Sequence, residues 1–331
     1  MFAIHVESDV APMADRAVTD GPRLYGILPV LQIPFDPSDN VDECDLRREV
    51  DFCIAGRVDG LVVPALASEF MVLTDDERRK VVEIVIDQAQ GRVPVVAGVA
   101  GASTPAAVAF ARHARRSGAA AVMALPPYVR RPSIDGVAAY YAAIAAASDL
   151  PLVIQNASPP FGMNLPTSAI ERLIRDIEQV RYVKEERQPA GHFMSALLAA
   201  PPPGLAGVFG GTAGLYLTSE LARGAIGCMP SAAVADVLVR VQDLFTTDKR
   251  SDARALHHRL LPLLTLEMSV LMSVSKEVLR RRGVFAHTGM RDPEFPPLDA
   301  GDLAELDALW PDLSALLHEE GTCNQAAPNK V

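Results

Sequence analysis

Residues 59–90 read DGLVVPALASEFMVLTDDERRKVVEIVIDQAQ. The stretch opens on a short apolar run, Asp59–Pro64, that does not alternate with polar residues. That pattern belongs to a strand buried on both faces, as in a parallel sheet. It then passes through a turn to Thr74-Asp75-Asp76-Glu77, where Thr followed three residues later by Glu has the form of a capping box. The spacing predicts a helix from there to about Gln90. This order of apolar run, turn and amphipathic run is repeated along the chain. Gly26–Pro34 precedes a helix over Asp42–Ala55, and Val93–Val99 precedes one near Pro105–Ser117. Ala119–Leu125 leads to Ile134–Ala147, Leu150–Gln155 to Ser168–Asp176, and Val180–Lys184 to Ala190–Ala199. Leu205–Phe209 leads to Ala213–Arg223, and Ala225–Met229 to Ala232–Phe245.

Eight strand-then-helix units favour a closed (β/α)8 TIM barrel over an open doubly wound sheet of six or seven strands. Further helical segments are expected near Ala253–Leu271, Lys276–Arg281 and Leu303–Leu317. They are too small to form a second core and should pack beside the barrel. The expected organisation is a flexible extension over 1–22, the barrel over 23–248, a helical appendage over 249–318 and a flexible tail over 319–331.

Composition excludes several classes. The chain has 331 residues, 49 % hydrophobic and 22 % charged, as expected of a globular chain with a large core. A formal charge of −10 disfavours nucleic acid. Cys44, Cys53, Cys228 and Cys323 show no metal-ligand spacing or disulfide framework, so a reduced, cytoplasmic setting is expected. No apolar run of membrane-spanning length appears. The acidic first 22 residues lack the apolar core of a secretion signal. The histidines are scattered, so no metal site is expected. The glycine-rich stretch Gly207–Gly214 lacks the Lys-Thr of a P-loop and the spacing of a dinucleotide fingerprint. It suits close backbone approach or a bound carboxylate, and no cofactor is expected.

In such a barrel the chemistry sits at the C-terminal strand ends. Those ends carry Ala67 and Ser68, Tyr128, Gln155 and Asn156, Lys184, Gly210, and Met229. Only five of the 31 basic residues are lysines, and Lys184 alone among them ends a central strand. Desolvation at a barrel mouth favours a neutral amine able to attack a ketone. On spacing alone, a lysine that merely pairs with Glu185 or Glu186 is an equally good reading. Glu186 lies two residues beyond Lys184 and so on the same side of a continuing strand, where a carboxylate could act as acid or base. Glu185 should point the other way. Gln155 cannot titrate and can only orient a hydroxyl, carboxylate or water.

The chain resembles the dihydrodipicolinate synthase / N-acetylneuraminate lyase superfamily. The resemblance runs from about Leu24 to Pro297. It rests on Tyr25-Gly26-Ile27-Leu28-Pro29-Val30, Asp59-Gly60-Leu61, Glu69 with Leu73–Arg78, Pro126-Pro127-Tyr128, Tyr182–Glu186 and Gly224-Ala225-Ile226-Gly227. It implies a Schiff-base lysine at Lys184, a 2-oxo acid substrate, extra C-terminal helices, and a homotetramer or dimer. Substrate contacts are expected at the strand ends, at Ala67, Ser68, Tyr128, Asn156, Gly210 and Met229.

Departures from the family pattern narrow the expectation. Ala65-Leu66-Ala67-Ser68-Glu69 stands where the family commonly has Gly-Thr-Thr-Gly-Glu, and Gln155 stands where a tyrosine relays protons. Val129 replaces a second tyrosine, and the arginine that binds the second substrate of the lysine-pathway synthase falls near Pro160. Gln155, Lys184 and Glu186 together resemble the branch of L-2-keto-3-deoxyarabonate dehydratases. The expected activity is therefore dehydration of a 2-keto-3-deoxy sugar acid. The alternatives are an aldolase or lyase using the same enamine, and a non-catalytic barrel acting as sensor or scaffold.

Overall fold

The computed structural model describes residues 23–318. The extension over 1–22, the tail over 319–331 and Cys323 lie outside the described residues. Eight strands alternate with helices. The strands are β1 (Gly26–Ile27), β2 (Leu61–Val63), β3 (Val95–Gly98), β4 (Ala121–Ala124), β5 (Leu152–Asn156), β6 (Val180–Glu185), β7 (Gly207–Gly210) and β8 (Gly227–Cys228). The helices between them are α1 (Glu43–Ala55), α2 (Asp75–Ala89), α3 (Thr104–Ser117), α4 (Ile134–Ser148), α5 (Thr167–Asp176), α6 (Ala190–Ala199) and α7 (Leu217–Ala222), with α8 (Ala235–Thr246) after the last strand.

All strand pairs are parallel, in the order β1-β8-β7-β6-β5-β4-β3-β2. The two ends of that order also meet. Asp59 donates its N–H to Ile27 O at 2.9 Å, Val62 to Pro29 O at 2.9 Å, and Leu31 to Val62 O at 3.0 Å. The sheet is therefore curled on itself in a TIM-barrel-like arrangement.

Strand periodicity divides the core in two. Val62, Val96, Met123, Val153, Tyr182, Phe209 and Met229 fill the interior of the curl. Their neighbours Val63, Ala97, Val122, Ile154, Val183, Val208 and Cys228 pack outward against the helices. The helices start where the local chemistry dictates. Thr74 and Glu77 cap α2 reciprocally, Thr74 N to Glu77 Oε2 at 2.9 Å and Glu77 N to Thr74 Oγ1 at 3.2 Å.

Three more helices follow, α9 (Arg250–Val270), α10 (Met272–Arg281) and α11 (Ala300–His318). Helix α9 packs on α8 and carries both α10 and α11. Among the described residues no helix is long and apolar enough to cross a membrane.

A buried ion pair fastens this appendage to the barrel. Lys276 Nζ in α10 lies 2.6 Å from Glu69 Oε1, and both side chains are fully buried. Glu69 sits in the left-handed region between two 3-10 turns that follow β2. Its Oε2 accepts from the N–H groups of Arg291 and Asp292, both at 2.9 Å. Lys276 also donates to Gly289 O at 2.7 Å. Both charges are thus engaged, and both oxygens of Glu69 are hydrogen-bonded, as an ion pair at this depth requires.

Candidate active site

The parallel register sets Gln155 of β5 beside Lys184 of β6. Both lie two residues beyond side chains of the inner core, Val153 and Tyr182, so both enter the barrel mouth. Lys184 is 4 % exposed. Its Nζ lies 3.2 Å from Glu186 Oε1. Gln155 Nε2 donates to the other oxygen of that carboxylate, Oε2, at 2.8 Å. Lys184, Glu186 and Gln155 therefore form one connected cluster. They occupy the positions that strand periodicity assigned.

The glycine-rich stretch supplies the cradle for Glu186. Thr212 donates its backbone N–H to Glu186 Oε1 at 3.2 Å. Thr212, Ala213 and Gly214 all have positive φ, at 51°, 55° and 85°, an arrangement that aims successive N–H groups into a concavity. A Cβ on Gly211 would stand 2.3 Å from Glu186 Oε1, so the absence of a side chain there makes room for the carboxylate. The anion that this backbone holds is a side chain of the protein itself.

The cluster opens on a cavity of about 130 Å³. Lys184, Glu186, Thr212, Met229 and Ala67 of the barrel line it together with Glu267, Met268, Leu271 and Met272 from the C-terminal helical segment. Ala67 and Met229 thus stand where a substrate could touch them. Other expected contacts are directed elsewhere. The Ser68 hydroxyl donates to Leu31 O at 2.5 Å and accepts from Ala65 N at 3.0 Å, holding the turn after β2. Asn156 Nδ2 donates to Glu185 Oε1 and Oε2 at 3.1 and 3.0 Å, and to Leu165 O at 3.2 Å. Asn156 and Glu185 therefore face outward together. Burial pushes the Glu185 carboxyl up to about 7, against the hydrogen bonds from Asn156 and from Arg187 N. Tyr128 packs edge-on against Phe70, with ring centroids 5.6 Å apart, beside Arg78. Gly210 makes room for another carboxylate, since a Cβ there would meet Glu220 Oε2 at 1.8 Å.

Two acids in this region were not singled out by reading the sequence. Glu220, in α7, is 1 % exposed, and neither oxygen has a hydrogen-bond partner. Burial pushes its carboxyl up to about 8; the nearby Glu186 raises it further, and Lys184 opposes. Glu220 is therefore a neutral acid at pH 7, behind the floor of the site. Glu267, in α9, lines the cavity itself. A signal existed for both. Glu220 lies one turn from Leu217 on a buried face, and Glu267 continues the apolar face Leu260, Leu263, Leu264. The adjacent glycines 210 and 211 mark the places where carboxylates press on the backbone.

Lys276 is buried at least as deeply as Lys184. Burial alone does not single out a nucleophile. Lys276 is held by Glu69, Gly289 and the face of Phe35, 4.5 Å from the ring centroid, and is not among the residues lining the cavity.

Residues 23–309 match the model of the dihydrodipicolinate synthetase family. The chain is 32 % identical over 294 residues to an L-2-keto-3-deoxyarabonate dehydratase of Azospirillum brasilense, covering 87 % of this chain and 94 % of that one. It is 33 % identical over 239 residues to a 4-hydroxy-tetrahydrodipicolinate synthase of Salinibacter ruber, covering 72 % and 78 %. Among solved structures, a dihydrodipicolinate synthase from Rhodopseudomonas palustris superposes with a TM-score of 0.82 at 26 % identity, covering 89 % of this chain and all of that one.

Proposed function

This chain belongs to the dihydrodipicolinate synthetase family and is a lyase, and from that premise we propose that it dehydrates a 2-keto-3-deoxy sugar acid through a Schiff base on Lys184. The observation that carries the reading is the Gln155–Glu186–Lys184 chain of contacts, at 2.8 and 3.2 Å. It puts a carboxylate, held by an amide that cannot titrate, directly against the amine. Similarity to the Azospirillum dehydratase over nearly its whole length supports the same choice.

The steps follow from the chemistry of these groups. Glu186 takes a proton from the Lys184 ammonium, and the free amine attacks C2 of the 2-oxo acid. Glu186 returns that proton to the carbinolamine hydroxyl, which leaves as water to give the iminium and restores the carboxylate. The iminium acidifies C3, and Glu186 removes a C3 proton to form the enamine. The same carboxyl, now protonated, returns that proton to the C4 hydroxyl, which leaves as water. For a five-carbon substrate, a C5 proton then moves to C3, and the C5 enol becomes an aldehyde. Hydrolysis of the imine frees Lys184 and a product such as 2-oxoglutarate semialdehyde. Gln155 holds Glu186 Oε2 throughout, so the carboxylate does not swing away between its two proton transfers. Ala67 and Met229 provide contacts along the substrate. A homotetramer or dimer in the cytoplasm remains part of this reading.

Incubation with pyruvate and borohydride tests the first step. A mass increase on the Lys184 peptide is expected, and its absence removes the Schiff base. Assay of 2-keto-3-deoxy acids for semialdehyde against pyruvate tests the second. Similarity to the synthases supports one other reading, in which the same enamine makes or breaks the C3–C4 bond. Release of pyruvate without dehydration would select it.

A further inference from the structure

Glu186 stands one residue past the end of β6, and its carboxylate meets Lys184 at 3.2 Å. Two main-chain donors define the turn that carries it. Glu186 N–H donates to Asn156 O at 2.9 Å, and Arg187 N–H donates to Glu185 Oε1 at 2.9 Å. Both bonds lead to the same two residues, Asn156 at the end of β5 and Glu185 at the end of β6, which stand side by side in the register.

These two side chains are tied to each other and to the loop before α5. Asn156 Nδ2 donates to both oxygens of Glu185, at 3.1 and 3.0 Å, and to Leu165 O at 3.2 Å. Asn156 Oδ1 accepts from Leu165 N at 2.9 Å. Both residues are buried, and neither is among the residues lining the cavity. A carboxylate only accepts, so the charged form of Glu185 suits the donors it meets. Protonation turns one acceptor oxygen into a donor with the Asn156 amide in front of it.

We propose that Glu185 and Asn156 are positioning residues for the chemistry at Lys184: they fix the turn that aims Glu186 at the amine, and the turn is held firmly when Glu185 is charged. The proposal deepens the reading above and rests on its Schiff base at Lys184 and its acid–base role for Glu186. It holds whichever bond of the substrate breaks afterwards.

Few charges surround Glu185. Glu186 follows it in the chain, and Arg187 Nε stands 4.0 Å from its Oε1. Strand β7 carries no titratable side chain. On α5, Arg172 is engaged with Asp176 and Arg175 with Glu171; on α6, the one titratable side chain, His192, is exposed. Burial carries the Glu185 carboxyl up to about 7, against the bonds from Asn156 and Arg187, so its charge changes within a range of pH that an assay can cover.

The test follows exchange of the methyl protons of pyruvate with D2O by proton NMR, using the full chain. Enamine formation on Lys184 requires Glu186 to remove a C3 proton, so exchange reads the placement of that carboxylate before any later bond breaks. The variants are Glu185→Gln, which keeps the volume and one acceptor, and Asn156→Ala. Borohydride trapping of pyruvate on Lys184 should persist in both and shows that the fold is intact; if Asn156→Ala does not fold, the near-isosteric Glu185→Gln decides. At pH 8.5 exchange should slow on the order of 10- to 100-fold. The ratio of parent to Glu185→Gln should fall towards one at pH 5.5, where the parent also holds an uncharged group at this position. A merely structural loss would keep that ratio constant with pH. A constant ratio, a parent rate in Glu185→Gln, or no exchange by a parent that traps pyruvate overturns the proposal. A parent that traps nothing overturns the Schiff base and the proposal together. If the expected exchange pattern appears and semialdehyde does not, the dehydratase reading falls and the positioning role stands.

Discussion

Glu220 makes the stability of the whole chain depend on pH in a calculable way. Its carboxyl titrates at about 8 in the folded chain and at 4.5 when unfolded. Between those values the folded chain holds a proton that the unfolded chain has released. Raising the pH through that window therefore favours unfolding; below 4.5 and above about 8 this group adds no further slope. An interval of about 3.5 pKa units at about 1.4 kcal/mol per unit amounts to at most about 5 kcal/mol. Glu220→Gln keeps the volume and removes the titration. At pH 5, where Glu220 is protonated in the fold, the substitution should change stability by no more than about 1 kcal/mol. At pH 9 the variant should be the more stable by several times that amount. Guanidinium unfolding at pH 5, 7 and 9 measures the difference. Both proteins should still weaken with rising pH, because burial also raises Glu185 and Glu267 to about 7. Parallel stability–pH curves for parent and variant would refute the reasoning, since Glu220 would then not be holding a proton in the fold.

Other outcomes follow from distances already given. Gly211→Ala puts a Cβ 2.3 Å from Glu186 Oε1 and should lower kcat on the order of 100-fold by displacing the carboxylate, with KM for substrate changing less. Lys276→Met leaves Glu69 charged and buried without its partner and should cost about 3–5 kcal/mol, read as a lower thermal midpoint. Pairing it with Glu69→Gln should recover part of that loss, and strict additivity of the two would contradict the pairing. Gln155→Leu removes the donor to Glu186 Oε2 and should lower dehydration while pyruvate trapping on Lys184 persists; loss of trapping as well would mean that Gln155 holds the lysine rather than the carboxylate.

Much of this was legible because strand periodicity is a local rule. Once Val180–Glu185 is a strand in a parallel sheet, Tyr182 and Lys184 must face one way and Glu185 the other. Six of the eight strand-and-helix units were read close to their observed places. The departures have local causes. The run Gly26–Pro34 becomes a two-residue strand, since Pro29 and Pro34 have no N–H and Val30 pairs only through isolated bridges. The helix expected over Ala213–Arg223 shrinks to Leu217–Ala222, because Thr212, Ala213 and Gly214 adopt positive φ. Those same angles aim the Thr212 N–H at Glu186, so the site overrides helix propensity. Ser68 and Asn156 were read as substrate contacts from their place at strand ends. Which way a short polar side chain turns there depends on partners far away in sequence, Leu31 for one and Leu165 with Glu185 for the other. Glu267 and Lys276 escaped for the same reason, because their partners are set by how the last helices dock.

The stitch between Lys276 and Glu69 has a consequence for how the molecule is made. A ribosome delivers β2 and its Glu69 more than two hundred residues before Lys276. For that interval a buried acid waits without its counter-ion, and the C-terminal part of the cavity lining does not yet exist. A nascent chain that has completed β8 has all the strands but no finished pocket. The pocket is therefore completed only when the C-terminal helices dock on the barrel.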